Sequence, residues 1–119
     1  MGLEITIKGL NQHASIKLIG LKGELDFLGS KKLTEELLPI IAEGNFYLIF
    51  DLHELVYINI TGIYSLLHCF TKVKEKGGFI KFIAINERIK EILDMVGILR
   101  FICIYDTLDE ALWIQGEGK

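Results

Sequence analysis

The chain reads as a single α/β domain, with a mixed, mostly parallel β-sheet of about five strands and about four helices. Three observations predict it. After an opening pair of strands, the apolar pattern alternates between strand-like runs and helical spacing. Two of the runs, FYLIFDL (46–52) and FIKFIAI (79–85), are nearly continuous in apolar residues, as in strands with helices on both faces of the sheet. Glycines then punctuate the segments, so that each helical stretch has a stop.

Taken in order, residues 3–8 and 14–21 mix Ile and Leu with polar neighbours around GLNQHA, which predicts a hairpin. GELDFLGS, bracketed by Gly23 and Gly29, reads as a loop. From Lys31, the positions Leu33, Leu37, Ile40 and Ile41 recur at helical spacing, with Ser30 as the N-cap and Gly44 as the stop. Pro39 lies inside this helix and is expected to kink it or to end its first part. The strand 46–52 leads through a junction to a helix from about Thr61 to Lys76, whose stripe is Ile63, Leu66, Leu67, Phe70 and Val73. Gly77 and Gly78 end it before the strand 79–85. Ile89, Ile92, Leu93 and Val96 then mark a short amphipathic helix closed by Gly97. FICIY (101–105) is a last strand, and Asp106 or Thr107 caps a final helix in which Leu108, Leu112 and Trp113 pack. The crossovers between successive strands predict parallel pairing. Residues 1–115 form the domain, and GEGK (116–119) is a frayed tail.

Composition excludes several classes. At 119 residues the chain can bury roughly two-thirds of its unfolded surface. No apolar run approaches the roughly 18–20 residues of a membrane span, and the N-terminus lacks the pattern of a signal peptide, so a cytoplasmic location is expected. MGLEIT fits the loose N-myristoylation pattern, but the same residues alternate as a strand with Thr6 facing outward. The net charge is −3 and the lysines are dispersed, unlike the basic face of a nucleic-acid binder. Cys69 and Cys103 read as small core residues. His13, His53 and His68 share no ligand spacing with each other or with the cysteines, so no metal site is expected. No phosphate-cradling glycine loop or nucleophile elbow follows any strand. Asp51 with Glu54 reads as a strand end meeting solvent. These features point to a binding or signalling module rather than an enzyme, with no cofactor.

The junction YINITG (57–62) stands apart, because short polar residues and a glycine interrupt two apolar elements. Asn59 or Thr61 can accept hydrogen bonds from the unsatisfied N–H groups of the first helical turn. The positive end of the helix dipole favours an anion there, and Gly62 keeps the turn approachable.

GELD (23–26), FYLIFDL, YINITG, GGFIKFIAI and IKEILDMVGI, in this order, resemble the STAS domain, the fold of bacterial anti-sigma-factor antagonists and of the cytoplasmic tails of sulphate transporters. The resemblance extends from the second strand through YDTLDEAL. It implies a phosphorylation motif of Asp-Ser-Ser-Gly or Asp-Ser-Thr-Gly at the start of the helix after the third strand. A partner kinase, itself the anti-sigma factor, phosphorylates the first serine, and phosphate abolishes binding. Carried onto this chain, Asn59 takes the aspartate's place, Ile60 the phosphoacceptor's, Thr61 the second hydroxyl's and Gly62 the glycine's. Asp26 matches the acidic residue of the loop that lies close to the phosphoacceptor.

Ile60 has no hydroxyl. Either Thr61 is the acceptor, one residue and about 100° further round the turn, or the switch is lost and binding is constitutive. The second reading is favoured. An exposed Ile60 beside Tyr64 and His68, at i+4 and i+8, would make a small apolar-aromatic contact patch. The expected function is thus an antagonist-like signalling module whose protein partner is a kinase-type anti-sigma factor, contacted through Asp26, Asn59, Ile60, Thr61, Gly62, Tyr64 and His68. The alternatives are a STAS subunit of a lipid-transport or stress-sensing complex, and an enzyme or small-ligand binder with a pocket at Asp26, Asn59 and Thr61.

Overall fold

The computed structural model describes residues 2–10 and 13–112. β1 (Leu3–Leu10) and β2 (His13–Leu25) form an antiparallel hairpin, with Ile5 opposite Leu21 and Thr6 opposite Gly20. The chain then runs through α1 (Phe27–Ala42), β3 (Tyr47–Ile58), α2 (Ile60–Glu75), β4 (Phe79–Ile83), α3 (Glu87–Met95), a 3-10 turn (Ile98–Arg100) and β5 (Cys103–Tyr105). Residues 108–112 are helical, and Thr107 Oγ1 accepts from the Glu110 N–H at 3.2 Å, as a cap. The sheet order is β1-β2-β3-β4-β5, and β2 to β5 are parallel. A sequential order joined by crossovers of one hand places α1, α2 and α3 on the same face.

That face holds the main core. Ile19, Leu21, Leu48, Phe50, Leu52 and Phe82 meet Leu33 and Leu37 of α1, Leu66, Cys69 and Val73 of α2, and Leu93 of α3, all buried. Phe50 and Phe82 meet edge to face with centroids 6.1 Å apart, and burying each ring contributes about 1.5–3 kcal/mol. On the other face Ile16, Ile49 and Ile83 pack with Ala111 of the last helical segment. Lys81 is buried there too: its Nζ donates to the Ala111 carbonyl at 2.9 Å and lies 4.7 Å from the Phe79 ring centroid. Burial holds its pKa below the usual lysine value. Partly buried Leu18, Tyr47, Phe79, Tyr105, Leu108 and Leu112 surround this cluster, and towards β1 the face turns polar. Glu4, Lys8, Lys22, Asp51, His53 and Glu54 surround a concavity of about 290 Å³.

Four expectations are corrected. α1 starts at Phe27, not Lys31, and its N-cap is Asp26, not Ser30. Ser30 lies inside the first turn, where its Oγ donates to the Asp26 carbonyl at 2.6 Å. α1 then runs to Ala42 with Pro39 inside it, as the spacing of its apolar residues predicts, and Leu37 and Ile41 on either side of the proline are both buried in the core. β3 runs on through LHELVYI to Ile58, so Asp51 and Glu54 lie inside a strand and not at its end. Finally, Cys69 is buried but Cys103, on the short edge strand β5, is exposed. Trp113 and the tail lie outside the described residues.

The extension of β3 has a physical signature. From Gly20 to Lys22 is two residues on β2, against three from Asp51 to Glu54 on β3; Gly23 to Glu24 is one, against two from Leu55 to Tyr57. Each shift is a bulge that leaves one extra residue on β3. Leu52, Leu55 and Ile58 therefore point into the core at a spacing of three, while Val56 and Tyr57 are both turned outward.

Candidate partner-binding site

The parallel strands β2 and β3 end side by side, with Leu25 paired to Ile58. Each then enters a helix by the same device. Asp26 and Asn59 are in extended conformation, and the side-chain Oδ1 of each accepts the backbone N–H three residues on: Gly29 at 2.9 Å and Gly62 at 3.0 Å. Each bond satisfies one of the helix's orphan donors. The Asn59 N–H donates across to the Leu25 carbonyl at 3.3 Å, tying the second entry to the first.

The glycines are there for space. A Cβ at Gly62 would press on the Leu25 carbonyl oxygen and on Ile58, and one at Gly29 would press on the Glu24 carbonyl oxygen. The segments Leu-Asp-Phe-Leu-Gly (25–29) and Ile-Asn-Ile-Thr-Gly (58–62) thus share one pattern: a buried residue, the cap, an exposed apolar residue, a fourth residue that is exposed in Leu28 and half-buried in Thr61, and a glycine.

The outward residues form the surface. Phe27 is 64% exposed, Leu28 71%, Ile60 55% and Tyr64 62%. Tyr57, two residues before the Asn59 cap, is also exposed. Large apolar side chains are thus left in water at the starts of both helices, and Phe27 and Tyr64 line one groove. Between α1 and α2 runs a groove of about 290 Å³ lined by Phe27, Ser30, Lys31, Thr61, Tyr64 and His68, among others. The N-termini of α1 and α2 open side by side at this end of the sheet, and neither has an acidic residue in its first turn. The carboxylate of Asp26 is the charge placed at the caps themselves.

All seven residues singled out from the sequence thus lie at two neighbouring helix starts or along one side of α2. Ile60, Tyr64 and His68 are exposed, whereas Thr61 is half-buried and faces the groove; Gly62 is buried. Phe27 lines the same groove, and Leu28 and Tyr57 are exposed next to the same two caps in the chain; these three were not anticipated. The signal that would have found the first two is the repeat itself, because LDFLG read against INITG puts Phe27 and Leu28 at the positions of Ile60 and Thr61. Among the described residues, no three or more His, Cys, Asp or Glu side chains gather as a metal site.

The STAS domain family model matches residues 8–111. The chain belongs to the STAS domain family. Among characterised relatives, the anti-sigma-B factor antagonist of Bacillus subtilis (strain 168) is 27% identical over 104 residues, covering 87% of this chain and 92% of that protein. The anti-sigma F factor antagonist of Paenibacillus polymyxa is 25% identical over 113 residues, covering 94% of both chains. Of solved structures, a putative anti-sigma factor antagonist from Thermotoga maritima superposes with a TM-score of 0.84 at 17% identity, covering 91% of each chain. The murine anion transporter Slc26a9 contains the same fold, with a TM-score of 0.71 and 14% identity over 95% of this chain and 22% of its own. Among the described residues of the present chain, no helix is long and apolar enough to cross a membrane.

Proposed function

We propose that this chain is an anti-sigma-factor antagonist-like signalling module of the cytoplasm, which binds a kinase-type anti-sigma factor through the face built on the α1 and α2 N-termini and does so without a phosphorylation switch. The observation that carries the reading is Ile60. It occupies the first position of α2, where the family's motif has its phosphoacceptor, and it is exposed within an apolar surface shared with Phe27, Leu28 and Tyr64. A residue that cannot be phosphorylated, in a surface suited to protein contact, supports constitutive binding. Thr61 supports it less as a shifted acceptor, since its side chain is half-buried against the α1–α2 groove while Ile60 faces solvent. The names of the two relatives support an anti-sigma factor as the partner class. The module itself performs no turnover in this reading.

The test is partner affinity across a small set of variants of the intact protein. Ile60→Arg and Phe27→Ala should each weaken binding of the host's kinase-type anti-sigma factor at least tenfold while leaving the fold intact. Asn59→Asp with Ile60→Ser, which rebuilds the family's motif, should create an ATP-dependent loss of binding absent from the parent chain. Unchanged affinity in Ile60→Arg would refute the assigned face. Capture of a lipid-transport or stress-sensing assembly in place of an anti-sigma factor would replace the partner class.

A further inference from the structure

The edge of the sheet formed by β1 carries a pattern that the partner-binding face does not use. In an antiparallel pair, residues alternate between those that exchange backbone hydrogen bonds with the partner and those whose N–H and C=O point away. The Glu24 N–H donates to the Gly2 carbonyl at 3.1 Å, which makes Gly2 and Glu24 a bonded pair. Counting along the regular register from Leu3–Gly23 to Gly9–Lys17, the bonded residues of β1 are Glu4, Thr6 and Lys8. The backbone groups of Leu3, Ile5, Ile7 and Gly9 therefore point outward from the sheet. The Leu3 carbonyl confirms the direction, since it accepts from Lys32 Nζ of α1 at 2.7 Å. Among the described residues, no strand pairs with the outward donors and acceptors of Ile5 and Ile7.

The side chains alternate in step. Glu4, Thr6 and Lys8 are exposed on the polar face of the sheet, while Ile5 and Ile7 are partly buried against the main core. Protected edges usually carry charge that repels a second strand. Here the charges are opposite and are placed two residues either side of Thr6. If a second β1 lies antiparallel with Thr6 opposite Thr6, then Glu4 faces Lys8 of the other strand, twice. In the same alignment Ile5 lies opposite Ile7, twice, and their outward backbone groups meet as bonded pairs. Shifting by two residues in either direction keeps the backbone pairing but sets Glu4 or Lys8 opposite threonine and loses both charge pairs. One register satisfies both requirements.

We infer that β1 is a self-complementary edge through which two copies of this chain join into a continuous ten-stranded sheet, in a two-fold dimer with Thr6 at its axis. The dimer is isologous, as the symmetry of a two-fold contact demands. Its interface is made by β1, which contributes none of the residues of the α1–α2 face, so the inference stands independently of the partner reading.

Sedimentation equilibrium and a cysteine cross-link test it on the full chain. The parent protein should sediment at twice its 13.5 kDa chain mass at micromolar concentration. Glu4→Lys, which sets lysine against lysine at both ends of the contact, should raise the dimer dissociation constant at least tenfold. Combining Glu4→Lys with Lys8→Glu should restore it, because the reversed pairs are again opposite in sign. In a Cys103→Ser background, Thr6→Cys should form an intermolecular disulfide under mild oxidation. Facing residues of a non-bonded pair have Cα atoms roughly 4.5 Å apart, within disulfide reach. Lys8→Cys, which faces Glu4 and not itself, should not. A parent protein that stays monomeric at hundreds of micromolar would overturn the inference. So would a dimer indifferent to Glu4→Lys, or equal cross-linking at positions 6 and 8. Exposed positions 4, 6 and 8 make loss of fold an unsuitable explanation, and circular dichroism of each variant checks it.

Discussion

Substituting Gly62→Ala reverses the effect the same change has in an ordinary helix. At an unconstrained position inside a helix, Gly→Ala stabilises by about 0.5–1 kcal/mol, since glycine loses more backbone freedom on folding. At Gly62 the added methyl has nowhere to go. It would overlap the Leu25 carbonyl oxygen and crowd Ile58 and the Leu25 side chain, each of them fully or almost fully buried. None of the three is the free end of a flexible chain, and the nearest is the backbone of the adjacent strand. Relief requires α2 to move off the sheet at its first turn, and overpacking of this kind costs about 1–3 kcal/mol. Subtracting the propensity gain from the middle of that range leaves a net loss of about 1 kcal/mol, or several degrees in Tm for a domain of this size. Urea unfolding followed by circular dichroism measures it, with the slope compared to confirm that the same surface is exposed. The movement would also displace Ile60 and Tyr64, so partner affinity should fall beyond what the stability loss explains. A variant as stable as the parent, or more so, would refute the close approach of α2 to β2.

Further outcomes follow from the same geometry. Asn59→Ala should cost about 1 kcal/mol by removing the bond from the Gly62 N–H, while Asn59→Asp should keep the cap and stability close to the parent's, again read by urea unfolding. Ellman's reagent should titrate one thiol in the native protein and two in denaturant, because Cys69 is buried with its pKa pushed up to about 12 whereas Cys103 is exposed. His53 donates to Asp51 through Nδ1 at 2.8 Å, and that bond, followed by the carboxylate's charge, raises its pKa above the ordinary 6.5. A raised folded pKa means that its contribution to stability is complete below about pH 6.5 and fades as pH rises through the higher folded value. The contribution is small because the ring is exposed. An NMR titration should find the His53 pKa raised in the parent and lowered towards the ordinary value in Asp51→Asn, where the charge of Glu54 remains.

Much of this architecture was legible because the hydrophobic pattern and the sheet agree. Of the two stripes, Leu33, Leu37, Ile41, Ile63, Leu66 and Val73 are buried as their spacing implies, while Ile40, Leu67 and Phe70 are half-buried at the margins, and the order of strands and helices is as expected. What was not legible traces to local devices that break a periodic pattern. Two bulges in β3 change the inward spacing from two to three, so LHELVYI does not read as a strand. The start of α1 was hidden because Phe27 and Leu28 are apolar yet exposed, and because Gly29 looks like a loop residue when its actual task is to let the helix lie close to the Glu24 carbonyl. Cys103 looked like core because its neighbours in FICIY are apolar, but β5 is a three-residue edge strand that covers only part of itself. At the site, the residues of YINITG were identifiable one by one; that they are half of a pair, with LDFLG as the other half, emerges only once β2 and β3 lie side by side.

In the proposed function, the partner contact of an antagonist-like module is not switched by phosphate at the start of α2. This is tested most directly by recovering the tagged protein from its host with ATP present and reading partner identity and intact mass together. The account predicts a kinase-type anti-sigma factor bound to a chain of unmodified mass. A chain one phosphate heavier, with the modification mapped to Thr61 and enriched in the unbound fraction, would contradict it.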